Sequence, residues 1–197
     1  NPAPVTPHGK RARGAPFSRF ALGTAGCIAA RKMQANSKSA QTPSDRSILL
    51  VGMMGAGKST IGRRLAARLG LPFVDADDAI VEAAGGMSIT DIFSKFGEPS
   101  FRDTERMVIA RLLDEPRQVI ATGGGAFMND ETRALILERA QAIWLDADID
   151  VLVERVSRRE GRPLLKGKNV REVITDLAAI RNPVYAQAPL HIKSIAG

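Results

Sequence analysis

From Arg46 onward, short apolar runs alternate with stretches in which apolar residues recur every three or four positions. That alternation is the signature of strand–helix–strand units laid into a parallel sheet. Five strands are predicted: Ile48 to Val51, Phe73 to Asp75, Val119 to Thr122, Ile143 to Asp146 and Leu190 to Ser194. Ile61, Leu65, Ala66 and Leu69 line one face of a first helix, and Gly70 suits its C-terminal stop. Ser88 with Asp91 reads as a capping box for a short helix through Phe96. Further helices are predicted over about 99–113, 129–139, 148–159 and 170–180, the last broken by Pro183. The class is α/β, with helices on both faces of a five-stranded parallel sheet.

The chain has 197 residues, 44% hydrophobic and 25% charged, enough for one compact domain with a core. No run approaches the roughly 20 apolar residues of a membrane helix, so no membrane partner is expected. Cys27 is the single cysteine, which excludes an intrachain disulfide and thiolate metal sites and is compatible with the cytoplasm. The formal charge of +7 invites a nucleic-acid reading, but its distribution removes it. Residues 1–44 carry seven basic and no acidic side chains, whereas the remainder holds 21 of each. The folded part is formally neutral, without the basic footprint that nucleic acid requires.

Residues 1–45, rich in Pro, Ala, Gly and Ser, read as a disordered basic leader ahead of a domain at 46–197. The chain opens on Asn1, and Met33 stands about a dozen residues before the first strand, so upstream codons read ahead of an internal start are the preferred explanation. An organellar transit segment over residues 1–32 is the alternative to a cytoplasmic location. A secretory signal fails, because the apolar stretch from Phe20 to Ala30 is diluted by Gly and Thr and ends in Arg31-Lys32.

The strongest chemical signal is Gly52-Met53-Met54-Gly55-Ala56-Gly57-Lys58-Ser59, a full phosphate-loop motif between a strand and a helix. Backbone N–H groups of Gly55, Ala56, Gly57 and the following helix, with Thr60 in its first turn, would close around ATP phosphates. Lys58 would reach the β and γ phosphates, and Ser59 would offer its hydroxyl to Mg²⁺. The acidic help such a site needs comes from Asp75-Ala76-Asp77-Asp78; in an extended segment Asp75 and Asp77 share one face of the crevice. Helix capping is the competing role for these aspartates, most of all for Asp78. Three glycines, Gly123 to Gly125, are costly to order, so a ligand approaching the bare backbone is the expected reason for them. Arg102, with Glu105 three residues on to hold it, and Arg181 suggest an anionic acceptor gripped through paired hydrogen bonds. The basic, glycine-punctuated stretch at about 158–170 reads as a mobile lid, with Arg162 beside Pro163 the residue that enters to meet the charge on the transferred phosphoryl group.

This ordered set resembles the shikimate kinases: the phosphate loop, Asp75-x-Asp77, Phe101-Arg102-x-x-Glu105, Thr122-Gly-Gly-Gly125, Arg162-Pro-Leu-Leu165 and Arg181-Asn182-Pro183-x-Tyr185. The resemblance implies a phosphate-loop kinase fold and ATP-dependent phosphorylation of shikimate in aromatic amino acid biosynthesis, with Mg²⁺, by a monomer. It implies that Arg102, Arg181, Gly124 and Gly125 bind shikimate and that the acceptor segment spans about 77–106. By the same resemblance Asp77 holds the attacking hydroxyl, Asp75 acts on Mg²⁺ through water, Arg155 stacks on adenine, Arg162 contacts phosphate and substrate, and Phe93 and Phe101 line the acceptor pocket. The family continues past the fifth strand with an adenine-packing loop and a terminal helix, whereas this sequence stops at Gly197; weakened ATP binding is the expectation. A gluconate or nucleoside-monophosphate kinase, or a phosphate-loop ATPase without a small acceptor, are the alternatives.

Overall fold

The computed structural model describes residues 45–158 and 169–194. Five parallel strands form one sheet in the order β2-β3-β1-β4-β5: β1 Ile48–Val51, β2 Phe73–Asp75, β3 Val119–Ala121, β4 Gln141–Ala147 and β5 Leu190–Ser194. Every residue of β1 and β3 is buried, as expected when helices cover both faces of a parallel sheet. Leu49, Leu50, Ile120 and Leu145 fill the sheet, and Ile80, Ile109, Ile136, Leu152 and Ile174 come down on it from the helices. β1 is the strand at which the order reverses, so the carboxyl ends of β1, β2 and β3 open onto the crevice where α/β sheets bind ligands.

The helices are α1 Lys58–Leu69, α2 Ala76–Ala83, α3 Ile89–Asp114, α4 Asp130–Arg139, α5 Ile149–Ser157 and α6 Val170–Tyr185. Gly62 lets α1 lie close on the sheet, since a β-carbon there would fall 2.6 Å from the Phe73 ring. α1 ends at Gly70 in the left-handed region. Ser88 caps α3 through the Asp91 N–H, as the sequence predicts. α3 breaks at Gly97 (φ 79°, ψ 169°) just before Pro99, so it is in effect the two predicted helices joined at a kink.

Two expectations are corrected. α6 does not break before Pro183 but runs through it to Tyr185. Tyr185 is wholly buried, its ring stacked near Phe127 and tilted against Trp144, and that packing holds the last turn in place against the local penalty of the proline. The segment after β2 is not extended either: a helix starts directly at Ala76, and its N-cap is Asp75 rather than Asp77 or Asp78. The leader with Met33, the greater part of the predicted lid with Arg162, and the last three residues lie outside the described residues.

Candidate active site

The phosphate loop leaves β1 at Gly52 and enters α1 at Lys58. Gly52, Gly55 and Gly57 all have positive φ (136°, 83° and 95°), a backbone that side-chain-bearing residues rarely adopt. The turn closes with the Ala56 N–H on the Met53 carbonyl, and Ala56 is buried. Lys58 donates through Nζ to the carbonyls of Gly52 (2.9 Å) and Met53 (3.0 Å), so its ammonium lies back over the mouth of the loop. Ser59 donates to Asp75 Oδ2 at 2.7 Å, and Thr60 is exposed on the first turn of α1. Arg155, on α5, donates to the Gly55 carbonyl (3.4 Å) and to Ser194 Oγ (3.2 Å), which ties the loop to the end of β5.

Asp75 uses both carboxylate oxygens, Oδ2 for Ser59 and Oδ1 for the Asp77 N–H at 3.2 Å. It is thus a helix cap and a neighbour of the loop hydroxyl at once. Asp77 sits in the first turn of α2 and reaches the glycine run: a β-carbon on Gly123 would lie 2.7 Å from Asp77 Oδ1. Burial raises its pKa and Asp75 adds to the rise, while Lys58 and Arg102 oppose it.

Arg102, near the kink of α3, is held from two sides. Its Nη1 donates to Glu105 at 2.7 Å, and its Nε and Nη2 donate to Glu98 at 3.3 and 3.1 Å. Glu105 is 1% exposed; burial pushes its carboxyl pKa up, and the Arg102 guanidinium pulls it back. The guanidinium lies 2.6–2.9 Å from where a β-carbon of Gly125 would stand. Arg181 arrives from α6, donating to the Gly124 carbonyl at 3.3 Å, and Tyr185 donates to the same oxygen. Burial drives the tyrosine hydroxyl pKa up to about 12. Phe101, buried, and Phe93, half-buried, meet with ring centroids 4.4 Å apart beside Arg102.

Asp77, Arg102 and Arg181, from three helices, therefore meet over Gly123, Gly124 and Gly125. The reason for the glycines differs from the one expected. None of the three has positive φ, and at each the room of a β-carbon is taken or bordered by one of these functional side chains. Glu98 and Ser194 escaped the sequence reading. Glu98 stands one helical turn before Arg102, a spacing that could have revealed it; Ser194 meets Arg155 only through the fold.

A Mg²⁺ ion carried by nucleotide phosphates needs few protein oxygens and keeps several waters. The adjacent Ser59 hydroxyl and Asp75 carboxylate fit that demand, and among the described residues no group of three His, Cys, Asp or Glu gathers into a separate metal cage. No helix among them is long and apolar enough to cross a membrane.

Comparison with known proteins places the chain in a family. The family model for shikimate kinase matches residues 54–196. A shikimate kinase of Caulobacter vibrioides is 60% identical over 149 residues, covering 76% of this chain and 74% of that protein. The shikimate kinase of Zymomonas mobilis is 56% identical over 155 residues, covering 79% and 88%. Among solved structures, shikimate kinase from Acinetobacter baumannii in complex with shikimate superposes with a TM-score of 0.73 at 37% identity, covering 79% of this chain and 87% of that one. A gluconokinase from Sinorhizobium meliloti, at 18% identity and a TM-score of 0.50, shares the fold alone. By this match of sequence and architecture, the chain belongs to the shikimate kinase family.

Proposed function

We propose that this protein transfers the γ-phosphoryl group of ATP to a hydroxyl of shikimate, giving shikimate 3-phosphate and ADP. One observation carries the reading: two guanidinium groups and a carboxylate converge on a bare glycine backbone next to a phosphate loop. Arginines that grip carboxylates through paired hydrogen bonds suit an acceptor with one carboxylate, and the aspartate suits its reacting hydroxyl. The Acinetobacter relative, described in complex with shikimate, supports the choice of acceptor. A cytoplasmic monomer is the setting in which we place this activity.

Arg102 and Arg181 take the carboxylate side of the acceptor, and the Gly124–Gly125 backbone supports its ring. Phe93 and Phe101 form an apolar wall beside Arg102. Asp77 accepts a hydrogen bond from the attacking hydroxyl and orients it in line with the γ phosphorus. Its raised pKa makes it a stronger base than an ordinary carboxylate, suited to take the proton late, as the loose transition state permits. As the acceptor oxygen bonds to phosphorus, the bond to the β,γ-bridging oxygen breaks and ADP leaves. Lys58 exchanges its carbonyl partners on the loop for the β and γ phosphates, and Arg155 borders the nucleotide at the Gly55 end. Arg162 is assigned the charge on the transferred group. Ser59 directly and Asp75 through water would hold Mg²⁺, which neutralises phosphate charge when bound.

A coupled ADP-release assay with Mg²⁺ and ATP tests the reading against gluconate and CMP. Release dependent on shikimate and indifferent to the other two is expected; hydrolysis indifferent to shikimate would refute it.

A further inference from the structure

Among the described residues, the Tyr185 hydroxyl is a buried polar group beside the acceptor site to which the reaction as drawn gives no role. Tyr185 is wholly inaccessible to solvent, yet its hydroxyl does not merely find a convenient partner: it donates to the carbonyl of Gly124, the oxygen that Arg181 also bonds. Arg181 and Tyr185 stand four residues apart on α6, so one helix face delivers both donors to one acceptor. The tyrosine ring is fixed independently of that bond, with the centroids of Phe127 and Trp144 at 6.4 and 6.2 Å. With its pKa raised to about 12, the hydroxyl keeps its proton, and so remains a donor, far above neutral pH.

The Gly124 carbonyl belongs to the same planar unit as the Gly125 N–H. In a trans peptide the two point in opposite directions, so fixing one fixes the other. Gly123 to Gly125 carry no β-carbon, and a peptide flanked by glycines rotates at little steric cost. Its orientation is therefore set by hydrogen bonds rather than by side-chain bulk. We propose that Tyr185 is a positioning residue for acceptor binding: its hydroxyl, with Arg181, locks the Gly124–Gly125 peptide so that the Gly125 N–H is aimed at the acceptor before it arrives. This rests on the assignment of shikimate as the acceptor bound at Gly124 and Gly125.

The test uses the full-length protein, beginning with shikimate-dependent ADP release by the unaltered enzyme. If that is absent, the functional assignment fails, whatever Tyr185 does. With activity established, Tyr185→Phe removes one atom and leaves Arg181 to satisfy the Gly124 carbonyl, so the fold is retained. A neutral hydrogen bond is worth enough for roughly a three- to tenfold change in an equilibrium. The KM for shikimate should rise by about that factor, with the KM for ATP within about twofold of the original. An unchanged shikimate KM, or an equal rise in both constants, would overturn the proposal. A second readout needs no substitution of the ring. Tyr185 is the single tyrosine of the chain, so growth on 3-fluorotyrosine labels it alone. Its fluorine resonance should move on addition of shikimate and stay in place on addition of ADP; a resonance indifferent to shikimate would equally overturn it.

Discussion

Two glycine-rich turns lie side by side at the carboxyl ends of β1 and β3, and glycine serves a different physical purpose in each. In the phosphate loop, Gly52, Gly55 and Gly57 are needed for their backbone angles, all with φ between 83° and 136°. In the run after β3 none of the glycines has positive φ; Gly123 and Gly125 are needed for the space they leave, into which Asp77 and Arg102 project, while Arg181 borders Gly124. One turn shapes itself around phosphate; the other makes room for the groups that would hold the acceptor. Alanine in the first should damage the fold, and alanine in the second should disarm the site and leave the fold intact.

The largest effect sharpens the second half of the comparison. Asp77→Asn keeps the shape of the side chain that lies over Gly123 but removes its basicity, and should lower kcat by about 10²–10⁴ with the KM for ATP nearly unchanged. The same variant carries a stability signature of opposite sign. Burial raises the pKa of Asp77 in the folded protein above its ordinary value of 3.8, so ionised Asp77 costs stability at neutral pH, and protonation on acidification relieves that cost. Asp77→Asn should therefore be the more stable protein at pH 7. Its advantage should shrink as pH falls through the native pKa of Asp77 toward 3.8, which denaturant titrations at several pH values would follow.

Next comes Gly52→Ala, where both costs coincide. The residue has φ 136°, and a β-carbon would lie 2.6 Å from the backbone oxygen of Leu145, which cannot swing aside. A loss of about 2–5 kcal/mol in denaturant unfolding is expected. Gly125→Ala should behave differently, since the atoms its β-carbon meets are the far end of the Arg102 side chain. Stability should stay within about 0.5 kcal/mol, while the KM for shikimate rises roughly ten- to hundredfold as a charge-assisted hydrogen bond is lost. The smallest effect is a control: Gly70 caps α1 at φ 65° with nothing within 4 Å of a β-carbon, so Gly70→Ala should cost only the backbone strain, about 1 kcal/mol, with no change in kinetics.

Much of this was readable from the residues. The continuous apolar run of β1 placed that strand to the residue, because it is buried on both faces; the bounds of β2 and β5 also agree, although β2 is only half-buried and β5 is largely exposed. The Ser88 cap and the break near Pro99 followed from local chemistry that tertiary contacts did not override. The end of α6 was misread, because the penalty at Pro183 is local whereas the burial of Tyr185 against Phe127 and Trp144 is not. The expected extended pair of Asp75 and Asp77 is absent: the strand stops at Asp75, which caps the helix turn that carries Asp77. The volume left by Gly123 to Gly125 was out of reach of sequence reasoning, since what fills it comes from α2, α3 and α6.

The convergence of the two arginines on that run is tested most directly by calorimetric titration of shikimate into the unaltered protein, Arg102→Ala and Arg181→Ala. Each substitution should weaken shikimate binding by at least about tenfold, with ADP binding unchanged. Shikimate affinity that survives the loss of either guanidinium would contradict the account.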